Sequence, residues 1–279
     1  MGVSNAPKIM LLAFIKYYIT AKTKYEIHSP FVFDWLNNAL EDTRYYYAFA
    51  QIAALRSGLL KNKNTISVTD LGAGSRSGAG TQRAIDAIAR TAVSPAEQCE
   101  LIFRTLHWFK SKNVLEFGTS LGVATAYQAA VNAAVPVVTM EGCPNIAAIA
   151  RSNFKALGLE NVTVLVGDFD ANLPVAISRL KQLDCVFFDG NHRREPTLRY
   201  FEACLPYAHN DSLFIFDDIH WSDEMEAAWA EIKAHKSVTL TIDLFSMGFV
   251  FFRAEQKTKE HFTIIAARHK PWSAGFFSS

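Results

Sequence analysis

Three carboxylates and two imidazoles are concentrated in two short stretches of this chain. FFDGNH, at 187–192, carries Asp189 and His192; FDDIHW, at 216–221, carries Asp217, Asp218 and His220. Each stretch ends an apolar run that reads as a buried strand, so its polar tip falls where open α/β sheets bind ligands. Three carboxylates at one point repel one another unless a cation joins them, and an all-oxygen set suits a hard divalent ion such as Mg²⁺. Asp189, Asp217 and Asp218 are therefore candidate metal ligands. A metal-held hydroxyl gives up its proton more easily, and a histidine, whose ordinary pKa is about 6.5, can take that proton near neutrality. His192 and Asp189 are the candidate catalytic residues, with His220 as an alternative base. The competing reading makes Asp217 and Asp218 caps of a helix starting near Ser222, and His192 a surface residue.

Two glycine-rich stretches could hold a small molecule. VTDLGAGSRSGAG (68–80) is followed only by helical sequence, so it lacks the second strand that a nucleotide site needs. It reads either as a turn between lobes or, with Arg76, as a flap over an acceptor site. NVLEFGTSLGVAT (113–125) is followed by a helix and then by PVVTMEG, which puts Glu141 at the next strand tip, where its carboxylate can accept both hydroxyls of a ribose. Gly118 and Gly122 are present, but Ser120 and Val123 stand where a dinucleotide fingerprint wants its other glycines. That weakens an NAD-dependent oxidoreductase, the alternative enzyme class.

In this order, VLEFGTSLG, VTMEG, VGDFD and VFFDG resemble the motifs of class I S-adenosylmethionine-dependent methyltransferases, over roughly 94–253. The resemblance implies cofactor contacts from Glu116, Gly118, Thr119, Ser120 and Gly122, with Glu116 beside the ammonium group. It also implies contacts from Glu141 and Gly142, from Asp168 facing the adenine amino group, from Phe169 along the ring, and from Asp189 near the reacting methyl. Related enzymes often carry serine where Ala124 lies; Thr125 or Thr119 could substitute. Asp189 and Asp217 also resemble metal ligands of the cation-dependent catechol and caffeoyl-CoA type, with Asp218 in place of the usual asparagine and His192 in place of a lysine base. DGNH resembles the D-x-x-H of sugar and macrolide O-methyltransferases. The implied activity is O-methylation of a small-molecule hydroxyl, assisted by a divalent cation. A metal-independent methyltransferase with another acceptor and a cofactor-binding protein without catalysis are the competing readings.

The elements that must position these residues follow from pattern. From 113 onward five apolar strand candidates alternate with helical segments, and VTLTIDLF and GFVFFRA end the series too close together for a crossover. This predicts a Rossmann-like, doubly wound, seven-stranded α/β sheet, parallel except for a C-terminal antiparallel hairpin. Residues 94–279 are expected to form the cofactor-binding domain, and 1–93 a helical N-terminal lobe that serves as a cap or dimerisation region. Ser94, Pro95 and Glu97 spell a helix start with a capping box. Lys and Arg number 28 against 27 Asp and Glu, which offers no basic footing for a nucleic acid. KIMLLAFIKYYITAK is too short and too interrupted for a signal peptide or a membrane span and reads as an amphipathic helix. The four cysteines lack CxxC spacing, which suits a reducing cytoplasm. The expected partners are a small hydroxyl acceptor and a second copy of the chain, not nucleic acid or membrane.

Overall fold

The structure, a computed structural model, describes residues 6–69 and 81–273. The stretch 70–80, with its two readings, lies outside the described residues. In chain order the elements are α1 (Ala6–Thr20), α2 (Pro30–Trp35), α3 (Tyr47–Lys61), β1 (Thr65–Val68), β2 (Thr81–Ala84), α4 (Ile85–Thr91), α5 (Ala96–Phe109) and β3 (Val114–Phe117). They continue with α6 (Val123–Ala129), β4 (Val137–Glu141), α7 (Pro144–Ala156), β5 (Val162–Val166), α8 (Phe169–Leu180), β6 (Cys185–Phe188) and α9 (Arg194–Cys204). The last are β7 (Leu213–Asp217), α10 (Asp223–Ala234), β8 (Leu240–Asp243), β9 (Met247–Phe251) and β10 (Glu260–Thr263).

Eight strands share one sheet in the order β10-β8-β9-β7-β6-β3-β4-β5. The chain falls into two compact units, Thr43–Asn191 and the combination of Met1–Asp42 with His192–Ser279. In the first unit β3 pairs in parallel with β4 on one side and β6 on the other, and β5 follows beyond β4. The winding therefore reverses between β3 and β6, and their carboxyl ends flank the crevice where this class of sheet receives ligands. Both strands are buried along their whole length, which explains why they are apolar but for Glu116. In the second unit β9 runs antiparallel to β7 and to β8.

Three details differ from the sequence expectation. An eighth strand, β10, joins β8 in parallel; its charged start, Lys259-Glu260-His261, leaves no apolar run to mark it. Residues 81–84, read as helix, form β2 and pair antiparallel with β1. The α5 helix starts one residue later than the capping signal suggests, with Pro95 as its cap residue and no side-chain cap bond, because Ser94 points elsewhere.

The amino-terminal helix is stitched to the carboxyl-terminal segment of its own unit. The Tyr17 hydroxyl donates to the Ile264 carbonyl at 2.5 Å, and Lys270 Nζ donates to the carbonyls of Ile19 and Ala21 at 3.2 and 2.8 Å. Ile265 N donates to the Lys22 carbonyl at 3.0 Å.

Candidate active site

The turn after β3 is shaped by close backbone contact. Gly118 has φ +96°, and a Cβ there would overlap the Asp189 carbonyl oxygen. Asp189 N in turn donates to the Phe117 carbonyl at 2.9 Å. The tips of β3 and β6 are thus pressed together, and only glycine fits between them. Ser120 has a left-handed backbone, as does Asn191 after β6, with φ of 48° and 55°. Backbone strain of this kind gathers at ligand sites. Gly122, at φ +79°, serves packing. A Cβ there would meet the Phe154 ring at 2.6 Å, so its absence lets α7 approach the turn.

Glu141 ends β4, as expected, half-buried. Its Oε2 accepts from Ser120 N and its Oε1 from Cys143 N, both at 2.9 Å. Two amides therefore aim the carboxylate, one of them from the glycine turn itself, while Gly142 forms the bend between Glu141 and Cys143. Ser120 Oγ is buried without a hydrogen-bond partner among the described residues, and Asn191 Oδ1 is in the same state. Buried polar atoms of that kind are costly unless a ligand or water completes them.

Asp168 is exposed and caps α8, its Oδ1 accepting from Asp170 N at 2.8 Å and Ala171 N at 3.3 Å. Phe169 follows, edge-on to Phe117 at 5.7 Å and packed where a Cβ on Gly190 would stand. The ring is thus fixed beside the β6 tip. The Asp189 carboxylate accepts from Ser94 Oγ at 3.1 Å, a contact the sequence did not signal, and the Ser94 carbonyl is held by Arg56.

Glu116 lies in β3 just before the turn. It is wholly buried, and its carboxylate accepts from the hydroxyls of Thr125 and Thr139 and from the Gln128 amide. Burial raises its pKa to about 7, against the lowering effect of these three donors. Thr139 gives its proton to Glu116, so the Thr119 hydroxyl, 2.6 Å away, is the donor between the two threonines. Glu116, Thr119 and Thr125 thus form one buried hydrogen-bonded group with Thr139.

In the second unit, His192 and Asp218 interact electrostatically. Burial lowers the His192 pKa, opposed by Asp218, and burial raises that of Asp218, opposed by His192. Asp218 is held in the left-handed region, φ 55°, with its amide donating to the Ser246 carbonyl at 2.8 Å. His220 has both ring nitrogens engaged: Nε2 lies 2.9 Å from Asp243 Oδ2 and Nδ1 3.1 Å from Glu226 Oε1. Burial would lower its pKa, but the two carboxylates outweigh that and hold it above the ordinary value. An imidazole with both ring nitrogens engaged has no free nitrogen to take a proton from an acceptor, which leaves His192 as the better candidate. Ser222, not Asp217 or Asp218, caps α10, accepting from Met225 N at 3.2 Å. Asp217 is the buried last residue of β7. Among the described residues no three His, Cys, Asp or Glu side chains gather as a metal-ligating group. Asp189, in the first unit, accepts from Ser94, and Asp218, in the second, interacts electrostatically with His192.

Comparison with known proteins agrees with this geometry. Residues 115–219 match the family model described as a methyltransferase domain. A protein-L-isoaspartate O-methyltransferase 1 from Archaeoglobus fulgidus is 44% identical over 78 residues, 26% of this chain and 32% of that protein. The chain thus spans about a third of the length of the curated relatives it matches. Among solved structures, an O-methyltransferase from Bacillus cereus in complex with SAH aligns with a TM-score of 0.51 at 18% identity, over 78% of this chain and 96% of that one. The SAH-bound methyltransferase PaMTH1 from Podospora anserina aligns with a TM-score of 0.55 at 14% identity, over 79% and 92% of the two chains. By the order of its motifs, by its match to a methyltransferase domain and by its Rossmann-like sheet, the chain resembles the class I S-adenosylmethionine-dependent methyltransferases.

Proposed function

We propose that this chain transfers a methyl group from S-adenosylmethionine to a hydroxyl of a small molecule. One observation carries the reading. At the β3–β6 reversal, a turn that only glycine can make runs directly into an amide that aims Glu141, and Asp189 lies on its other side. The unsatisfied Ser120 hydroxyl in that turn fits a ligand carboxylate. When bound, S-adenosylmethionine supplies an electrophilic methyl carbon on a sulfonium, open to in-line displacement by oxygen. Glu141 accepts the ribose hydroxyls, Phe169 flanks the base and Asp189 offers negative charge to the sulfonium side of the crevice. His192, whose pKa burial lowers against the opposing charge of Asp218, would receive the acceptor proton at a ring nitrogen.

Isothermal calorimetry tests the reading. The chain should bind SAH and not NAD, and Glu141→Ala should weaken SAH binding at least tenfold. NAD binding without SAH binding would reject it. Cation dependence is a separate matter: activity lost in EDTA and restored by Mg²⁺ would return Asp189, Asp217 and Asp218 to the role of ligands. A second reading, a carboxyl group of a protein as acceptor, is favoured by the isoaspartate methyltransferase relatives. A carboxylate needs no base, so turnover that survives His192→Gln would favour it over a hydroxyl.

A further inference from the structure

The outer face of α1 has no partner among the described residues. Its inner face packs on its own unit through Tyr17, Ala21 and Ile265, with Phe14 edge-on to Phe245 at 5.1 Å. Leu11, Leu12, Ile15 and Ile19 point the other way, with Leu12 68% and Ile19 70% exposed. At helical spacing these four fall within an arc of roughly 100°. An apolar stripe on both sides of a surface helix is unusual, because water normally selects a polar outer face.

Charge decides what could cover it. Residues 1–25 contain four lysines, Lys8, Lys16, Lys22 and Lys24, and no acid. Lys16 is exposed beside the stripe, and Lys270 lies at the carboxyl end of the helix. The nearest acid in sequence, Glu26, is turned back on Thr23. A second copy laid helix to helix on this face would bring the same lysines and, from residues 1–25, no carboxylate to answer them. An anionic lipid surface answers both features: its acyl boundary takes the leucines and isoleucines, and its headgroups take the lysines. Two exposed aromatics lie close by, one in space and one in sequence. Trp272, 55% exposed, has its ring 6.0 Å from that of Tyr18 at the edge of the stripe, and Tyr25, 56% exposed, follows the helix. Aromatic residues of this kind settle at membrane–water boundaries. No helix of the described residues is long and apolar enough to cross a membrane, so α1 would lie in the plane of the surface.

We propose that α1 docks the protein on anionic membrane surfaces, its Leu11, Leu12, Ile15 and Ile19 stripe immersed and its lysines at the headgroups. Flotation of the full chain with vesicles provides the test. The protein should float with phosphatidylcholine vesicles containing a third phosphatidylglycerol, and at least tenfold less with phosphatidylcholine alone. Lys16→Glu should lower binding roughly tenfold, and Leu12→Asp with Ile19→Asp should abolish it while leaving the melting temperature unchanged. Absence of flotation with anionic vesicles would overturn the proposal, as would equal flotation of the double variant. So would a dimer in sedimentation equilibrium that the double variant dissociates, since that outcome assigns the stripe to a second copy.

Discussion

Glu116 is the residue whose setting most changes what the protein should do with pH. Its ordinary pKa is 4.5, and in the folded chain burial raises it to about 7. Between those values the folded state binds more protons than the unfolded state, so the contribution to stability is greatest below pH 4.5 and falls as pH rises toward 7. The contribution lost across that window is on the order of 3 kcal/mol. Urea melts at pH 5 and pH 7.5 should show the decline, and Glu116→Gln should flatten it; an equal slope in the variant would remove the assignment. The residue stands out in the sequence but its direction does not, because an acid before a glycine turn looks the same whether it faces a ligand or the core. Glu141 was legible for a local reason: it ends a strand, and strand ends in this sheet face the crevice. Ser94 was not legible, since its partner Asp189 is 95 positions away and nothing near Ser94 marks the contact.

At the scale of elements, the turn between β3 and α6 is the part least able to change. Gly118→Ala would press a methyl against the Asp189 carbonyl and force an alanine to φ +96°. We expect a loss of at least about 3 kcal/mol in chemical denaturation, or failure to fold. A wild-type melting curve for that variant would mean that β3 and β6 separate more freely than their contact implies. The parallel strands were readable because burial on both faces leaves a nearly continuous apolar run, as in Cys185–Phe188 and, but for Glu116, in Val114–Phe117. Elements with exposed or charged residues were not. Thr81–Ala84 is mostly exposed and is a strand only because β1 pairs with it, and β10 depends on β8 in the same way. Long-range pairing decides such segments, and local pattern does not record it.

For the whole molecule, residues 17–22 and 264–270 are held together inside one unit, although residues 43–191 are inserted between its halves. Tyr17→Phe removes the hydroxyl that donates to Ile264 and should cost about 1 kcal/mol. Hydrogen exchange should show the loss first in α1 and β10, with the strands of the Thr43–Asn191 unit little affected; uniform loss would mean that the clasp supports the entire chain. The β10 strand has one more consequence. By lying along β8 it occupies backbone donors and acceptors that would otherwise face solvent in a row, ready to recruit a strand from another chain. A nick ahead of Glu260 should therefore do more than loosen a terminus: it should make the protein self-adhesive, and precipitation would be its first symptom.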